Sequence, residues 1–163
     1  MGFLEYRFTV NFNSIFTSIN LLISKLNLFS NQYSILGESF MNDRLFAVRG
    51  ATTVTEDTKE AITKAVLEMY DLIVERNKLN SGNIVSIQFT ITPDLRSMNP
   101  ATALRTQKKS FMIPLFCMQE PVVENMLGKT IRTIIYFYSD SEHKVEHVYL
   151  GKAAALRQDL TQK

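Results

Sequence analysis

From Pro114 to Glu120 the chain reads Pro-Leu-Phe-Cys-Met-Gln-Glu, which sets a thiol, an amide and a carboxylate side by side at Cys117, Gln119 and Glu120. They follow a mostly apolar run, Phe111, Met112 and Ile113, that reads as a buried strand, and Pro121 comes at once after them. Side chains at such a strand end leave the core and face a cleft, which is where ligand sites gather in α/β sheets. Cys117 with His143 or His147 as base would make an activated nucleophile, the chemistry of a hydrolase or deaminase. Neither histidine stands in a recognisable motif with it, and a lone cysteine near a strand end is more often packing or a weak hydrogen-bond donor. Glu120 suits general acid/base work, but no second carboxylate lies beside it to make a pair.

Arginines supply the other chemistry. Arg132 is the only charge between Thr130 and Ser139, a stretch that otherwise reads as a strand. Burying a guanidinium unpaired is very unfavourable, so it points at a carboxylate, a ligand or water. Two readings stay open, a cleft residue or the exposed face of an edge strand. Arg49, Arg105 and Arg157 each sit beside an element boundary. Converging, they would suit a small di-anion, because the planar fork of donors matches a carboxylate. Taken singly, each is a solvated surface charge. Asp94 after Pro93 is turn chemistry. Gly50 has no Gly-rich phosphate loop around it, and no spacing of His, Asp or Glu resembles a metal site.

The elements that must position these groups alternate. Arg44–Arg49 is a short strand that Gly50 breaks. Asp57 reads as a helix N-cap with Glu60 at the N3 position. The helix it opens, Thr58–Asn77, carries Ile62, Val66, Met69 and Ile73 on one face. Asn80-Ser81-Gly82 closes the connection. In the next strand Val85, Ile87, Phe89 and Ile91 alternate with Ser86, Gln88 and Thr90, so its polar face meets solvent or a subunit boundary. Thr92-Pro93-Asp94 turns the chain, and Asn99-Pro100 caps a short helix carrying Arg105. Phe111–Met118 is a strand, Pro121 opens a short helix that ends with Gly128 as its C′ residue, and Thr130–Ser139 is a strand. After a polar loop from Asp140 to Glu146, a brief strand His147–Leu150 leads into a helical turn holding Lys152 and Arg157. Strands alternating with helices argue for an α/β domain with right-handed crossovers.

Composition narrows the class. The 163 residues are 45% hydrophobic and 21% charged with a net charge of +2, enough for one domain with a real core. No Lys/Arg block is present, which argues against a strongly basic nucleic-acid binder. The single cysteine excludes an internal disulfide and any Cys-based zinc site, and fits a reducing cytoplasm. Residues 1–40 differ from the rest, with only Glu5, Arg7, Lys25 and Glu38 charged. No apolar run there approaches the roughly 18 residues of a membrane span, and a secretory signal fits poorly. Ile15–Phe29 has the pattern of a weak amphipathic helix. The preferred reading makes Met41 the natural start, with 1–40 a mis-assigned or dispensable extension and 41–163 the domain.

A family resemblance joins these observations. Val48-Arg49-Gly50-Ala51-Thr52-Thr53-Val54, Thr92-Pro93-Asp94-Leu95, Pro100-Ala101 and Arg105 are arranged as in one enzyme family. So are Cys117-Met118-Gln119-Glu120, Ile131-Arg132, His147-Val148-Tyr149-Leu150, Lys152-Ala153 and Leu156-Arg157. From roughly Arg44 to Leu160 the chain resembles the AroH class of monofunctional chorismate mutases. The resemblance implies a mixed sheet packed with helices, in a homotrimer forming a pseudo-α/β-barrel with three clefts between subunits. It implies conversion of chorismate to prephenate, on the route to phenylalanine and tyrosine, without metal, cofactor or covalent intermediate. It assigns Arg132 to the substrate's ether oxygen, and Cys117 and Glu120 to the ring hydroxyl and the charge developing on the ring. Arg49 and Tyr149 would grip carboxylates, Arg105 and Arg157 would stand at the cleft mouth, and Phe116, Met118 and Gln119 would complete the binding set. Asn99, Thr102 and Phe116 depart from the family's usual aromatic, basic and threonine residues, so affinity and loop closure are the properties they bear on. The alternative is a catalytically silent trimeric module that binds a small carboxylate metabolite. Neither nucleic acid nor membrane is an expected partner.

Overall fold

The computed structural model describes residues 24–25, 43–108 and 112–157. The chain divides into two units, Met1–Asn42 and Asp43–Lys163. In the first, Ser24 and Lys25 are helical; the rest of the helix expected over Ile15–Phe29 lies outside the described residues.

The second unit is built on a mixed sheet of five strands, β1 (Asp43–Thr53), β2 (Ile84–Ile91), β3 (Leu115–Gln119), β4 (Thr130–Asp140) and β5 (Val148–Tyr149). Their spatial order is β3-β2-β4-β1-β5. β4 runs antiparallel to both neighbours, while β3 on β2 and β5 on β1 are parallel pairs. Helix α1 (Lys59–Arg76) connects β1 to β2, and helix α2 (Pro100–Gln107) connects β2 to β3. A 3-10 helix, Gly151–Arg157, follows β5. The α/β reading with a mixed sheet holds.

Ile62, Val66, Met69 and Ile73 of α1 are fully buried, as their spacing predicts, and join Val48, Ile87, Phe89, Ile131, Ile135 and Phe137 in one core. Side chains alternate along a strand, so the register puts those sheet residues on the face that α1 covers. The opposite face carries Leu45, Phe116, Met118 and Tyr138, which stay 42–59% exposed. It also carries Arg49, Gln88, Thr90 and Arg132, in line through the pairs Arg49↔Ile134, Gln88↔Ile134 and Thr90↔Arg132.

Several local expectations are corrected. Gly50 does not break β1, which runs on to Thr53. A Cβ there would lie 2.7 Å from Ile73 Cδ1 and 2.9 Å from Thr133 Cγ2, so glycine serves the close approach of α1 to the sheet. The cap of α1 is Thr58, whose hydroxyl accepts from Ala61 N at 3.2 Å. Asp57 instead accepts from the backbone N–H groups of Arg96 and Ser97, tying the two β-to-α connections together. The alternation expected of β2 slips at its start, where an irregularity between Ile84 and Ser86 buries Ile84 and exposes Val85.

β3 begins at Leu115, after Pro114, and not at Phe111; Phe111 itself lies outside the described residues, and Met112 is exposed. Pro121 opens no helix. Val122 and Val123 are exposed, offering no face to bury, and Asn125 adopts a left-handed φ of 61° that ends a single turn. Gly128 is therefore no helix cap; a Cβ on it would meet Asp94 Oδ2 at 2.7 Å. The expected strand His147–Leu150 shortens to Val148 and Tyr149. Asn99 does cap α2 with Pro100 at its start, accepting from Ala101 N at 2.9 Å.

Candidate active site

Arg132 lies on β4, the central strand, so the edge-strand reading does not apply to it. Its register partners are Thr90 on β2 and Ala51 on β1, and theirs in turn are Met118 on β3 and Tyr149 on β5. The row Met118, Thr90, Arg132, Ala51, Tyr149 therefore crosses the whole sheet on the face away from α1. Arg49 is two residues from Ala51, so the two arginines are diagonal neighbours, about 7–8 Å apart at Cα and within reach of one ligand.

The guanidinium of Arg132 donates through Nη1 to Oε2 of Glu120. The other carboxylate oxygen, Oε1, accepts from the hydroxyl of Thr90 at 2.5 Å. Glu120 reaches this point because its backbone N–H continues the parallel pairing past the end of β3, donating to Ile91 O at 2.8 Å. With side chains 28% and 17% exposed, Arg132 and Glu120 are largely withdrawn from water, where an unpaired charge is costly and a paired one is strengthened. Beside the pair opens a cavity of about 240 Å³ lined mainly by Arg49, Gln88, Thr90, Met118, Arg132 and Ile134. A larger depression of about 640 Å³ runs along α1 and includes Lys59, Glu60, Lys64 and Glu68. Its charges are of both signs along one helix and it holds none of the cleft arginines, so the smaller cavity beside the Arg132–Glu120 pair is the candidate site.

At the far edge, Arg49 N donates to Nδ1 of His147 at 3.1 Å, which requires that nitrogen unprotonated. Burial, and then the positive charges of Arg49 and Arg157, hold the pKa of His147 below the usual histidine value. That dependence puts Arg49 and Arg157 in one electrostatic neighbourhood. The hydroxyl of Tyr149 is buried without a hydrogen-bond partner. A group left so is costly, by about 1–3 kcal/mol, until it meets an acceptor or donor.

Other residues singled out in the sequence lie elsewhere. Cys117 is in register with Phe89 and packs against the core, on the α1 side of β3; burial raises its thiol pKa, keeping it protonated at neutral pH. Gln119 alternates to that same side, in register with Ile91, and is exposed. Phe116 is on the cavity face, in register with Gln88. Arg105 is exposed in the last turn of α2, away from the cavity lining. Neither histidine approaches Cys117 by any hydrogen bond: His147 meets Arg49, and His143 packs edge-on against Phe46 and Phe137. Among the described residues no three His, Cys, Asp or Glu side chains converge to hold a metal ion.

Gln88 and Thr90 escaped the sequence reading as site residues. The signal was there in the polar face of β2, but alternation alone does not tell a solvated face from a binding one.

The family model for type I chorismate mutase matches residues 45–160. A chorismate mutase AroH of Bacillus subtilis is 36% identical over 115 residues, covering 70% of this chain and 91% of that protein. The corresponding AroH of Thermus thermophilus is 39% identical over 115 residues, covering 69% of this chain and 93% of the relative. Among solved structures, a chorismate mutase from Clostridium thermocellum superposes with a TM-score of 0.60 at 34% identity. The match covers 68% of this chain and 98% of that one.

Proposed function

The chain belongs to the type I chorismate mutase family, and from that premise we propose that it is an isomerase converting chorismate to prephenate. The reaction is an intramolecular Claisen rearrangement that supplies aromatic amino acid synthesis. Chorismate is a flexible dicarboxylate whose enolpyruvyl arm must fold over the ring before bonds can exchange. Binding that conformer removes much of the entropic part of the barrier. As the C–O bond opens ahead of C–C bond formation, negative charge grows on the ether oxygen, and a fixed cation beside it favours the transition state over the ground state.

In this proposal Arg132 stands beside the ether oxygen, and Arg49 and Tyr149 receive the carboxylates. The diagonal placement of the arginines and the unpartnered Tyr149 hydroxyl support those roles. Glu120 orients Arg132 and faces the ring as its charge develops. Cys117, which the resemblance places near the ring hydroxyl, faces the α1 side of β3 off the cavity lining and is left out of the proposed contacts within one subunit. Phe116 and Met118 form the wall near that strand and Arg157 draws the anion in at the mouth, while Gln119, on the α1 side, and Arg105, away from this cavity, reach substrate only where a neighbouring subunit completes a cleft.

Assembly as a homotrimer, with clefts between neighbouring subunits, is part of the proposal. The apolar side chains Leu45, Phe116, Met118 and Tyr138, exposed on the face that holds the cavity, support it. The working compartment we propose is the cytoplasm; among the described residues no helix is long and apolar enough to cross a membrane.

The observation that carries the reading is Arg132 joined to Glu120 beside a cavity at the centre of the sheet. Its test is the loss of chorismate's ultraviolet absorbance in the presence of the purified chain. Arg132→Ala should lower turnover by at least the ~10²–10³ typical of removing one oxyanion donor. Arg132→Lys should also turn over poorly, because a point charge does not reproduce the fork. A folded wild-type protein that leaves chorismate unchanged would favour the silent carboxylate-binding module, and near-normal turnover by either variant would remove Arg132 from the chemistry.

A further inference from the structure

We propose that Thr90 is a positioning residue for the rearrangement, acting through Glu120. The inference rests on the function proposed above. Glu120 lies just beyond β3, where its backbone N–H is tied to the sheet through Ile91 O. Its side chain has enough torsional freedom to leave Arg132 by rotation. Two donors on adjacent strands prevent this: Arg132 holds Oε2 and Thr90 holds Oε1. Because Thr90 and Arg132 are register partners, the ladder sets the spacing of the two donors. The carboxylate plane is thereby fixed, and with it the direction in which the guanidinium presents its remaining N–H groups to the cavity.

Removing the hydroxyl would leave a half-buried carboxylate oxygen without its donor, and hydrogen bonds to charged groups are among the stronger ones. Thr90 also lines the cavity. A direct contact with substrate is thus the competing account, and a double-mutant cycle separates the two.

The experiment compares wild type, Thr90→Val, Thr90→Ser, Glu120→Ala and Thr90→Val combined with Glu120→Ala in the full chain, reading kcat and KM separately. Valine keeps the shape and the branching that β2 needs, and serine keeps the donor. Thr90→Val should lower kcat by roughly tenfold with KM little changed, Thr90→Ser should recover most of the loss, and in the Glu120→Ala background, which has no acceptor for the hydroxyl, the valine should cost almost nothing. An equal loss in both backgrounds would overturn the proposal in favour of direct contact, and failure of serine to recover would assign Thr90 to packing. A crystal structure of Thr90→Val supplies a readout independent of turnover. Glu120 should leave its place beside Arg132, and an unmoved Glu120 would overturn the proposal. An inactive wild type would sink the proposed function instead, leaving that structural arm to decide whether Thr90 holds Glu120.

Discussion

A guanidinium at the centre of a five-stranded sheet is tolerated here because its neighbours answer it one by one. Glu120 cancels its charge, Thr90 engages the second carboxylate oxygen, and the small side chain of Ala51 lies opposite on β1. His147 ties down the backbone of β1 instead, accepting the main-chain N–H of Arg49 at Nδ1, and only while that nitrogen is unprotonated. Burial, then Arg49 and Arg157, lower its pKa in the folded chain below the ordinary histidine value of 6.5. The unfolded chain therefore takes up the proton more readily, so folding stability from this source is complete above pH 6.5 and declines as pH falls through the lowered value. Melting temperatures recorded from pH 7.5 down to about 5 should drop more in wild type than in His147→Gln, whose amide cannot take the proton. Parallel curves would show that His147 does not contribute. At this scale Arg132, Arg49, Glu120 and Tyr149 were readable as candidates. The bond between Thr90 and Glu120 was not, because it joins residues 30 positions apart in the chain.

Elements were legible where pattern and packing agree. Helix α1 and the antiparallel core of the sheet follow from apolar spacing, and α2 follows from Asn99 and Pro100. Readings failed where a tertiary neighbour outweighed a local preference. Gly50 looks like a breaker, yet α1 needs its missing side chain to sit on the sheet. Gly50→Ala should accordingly overpack this contact by about 1–3 kcal/mol, lowering the melting temperature by several degrees. An unchanged melt would mean that Ile73 and Met69 give way without penalty. Asp57 has the composition of a cap, but Arg96 and Ser97 offer its carboxylate two backbone donors, and the hydroxyl of Thr58 caps α1 in its place. Pro121 has the composition of a helix start, but Val122 and Val123 find nothing to pack on within the unit.

For the whole molecule, the consequential feature is a sheet with two unlike faces. One is sealed by α1; the other carries the cavity among half-exposed apolar side chains. Under the proposed trimer, that second face is where subunits meet and where each cleft is finished. Phe116→Asp places a charge on that face beside Gln88 and next along β3 from Met118, and burying it unpaired in a subunit contact is strongly unfavourable. Light scattering should then detect smaller species, and turnover should fall with dilution more steeply than in wild type. A variant that stays fully assembled and active would show that Phe116 lies outside the subunit contact.

Sequence alone determined the class of fold, the family, and the short roster of arginines and polar groups, because periodicity and local motifs are written in neighbouring positions. Which of these groups meet was decided by strand order and register. β4 between β1 and β2 brings Arg132 into line with Thr90 and next to Arg49, and the end of β3 delivers Glu120 to both donors. The same period of two that presents Met118 to the cavity turns Cys117 toward the core. A one-residue shift in register would exchange them, and only the pairing of distant strands sets that register.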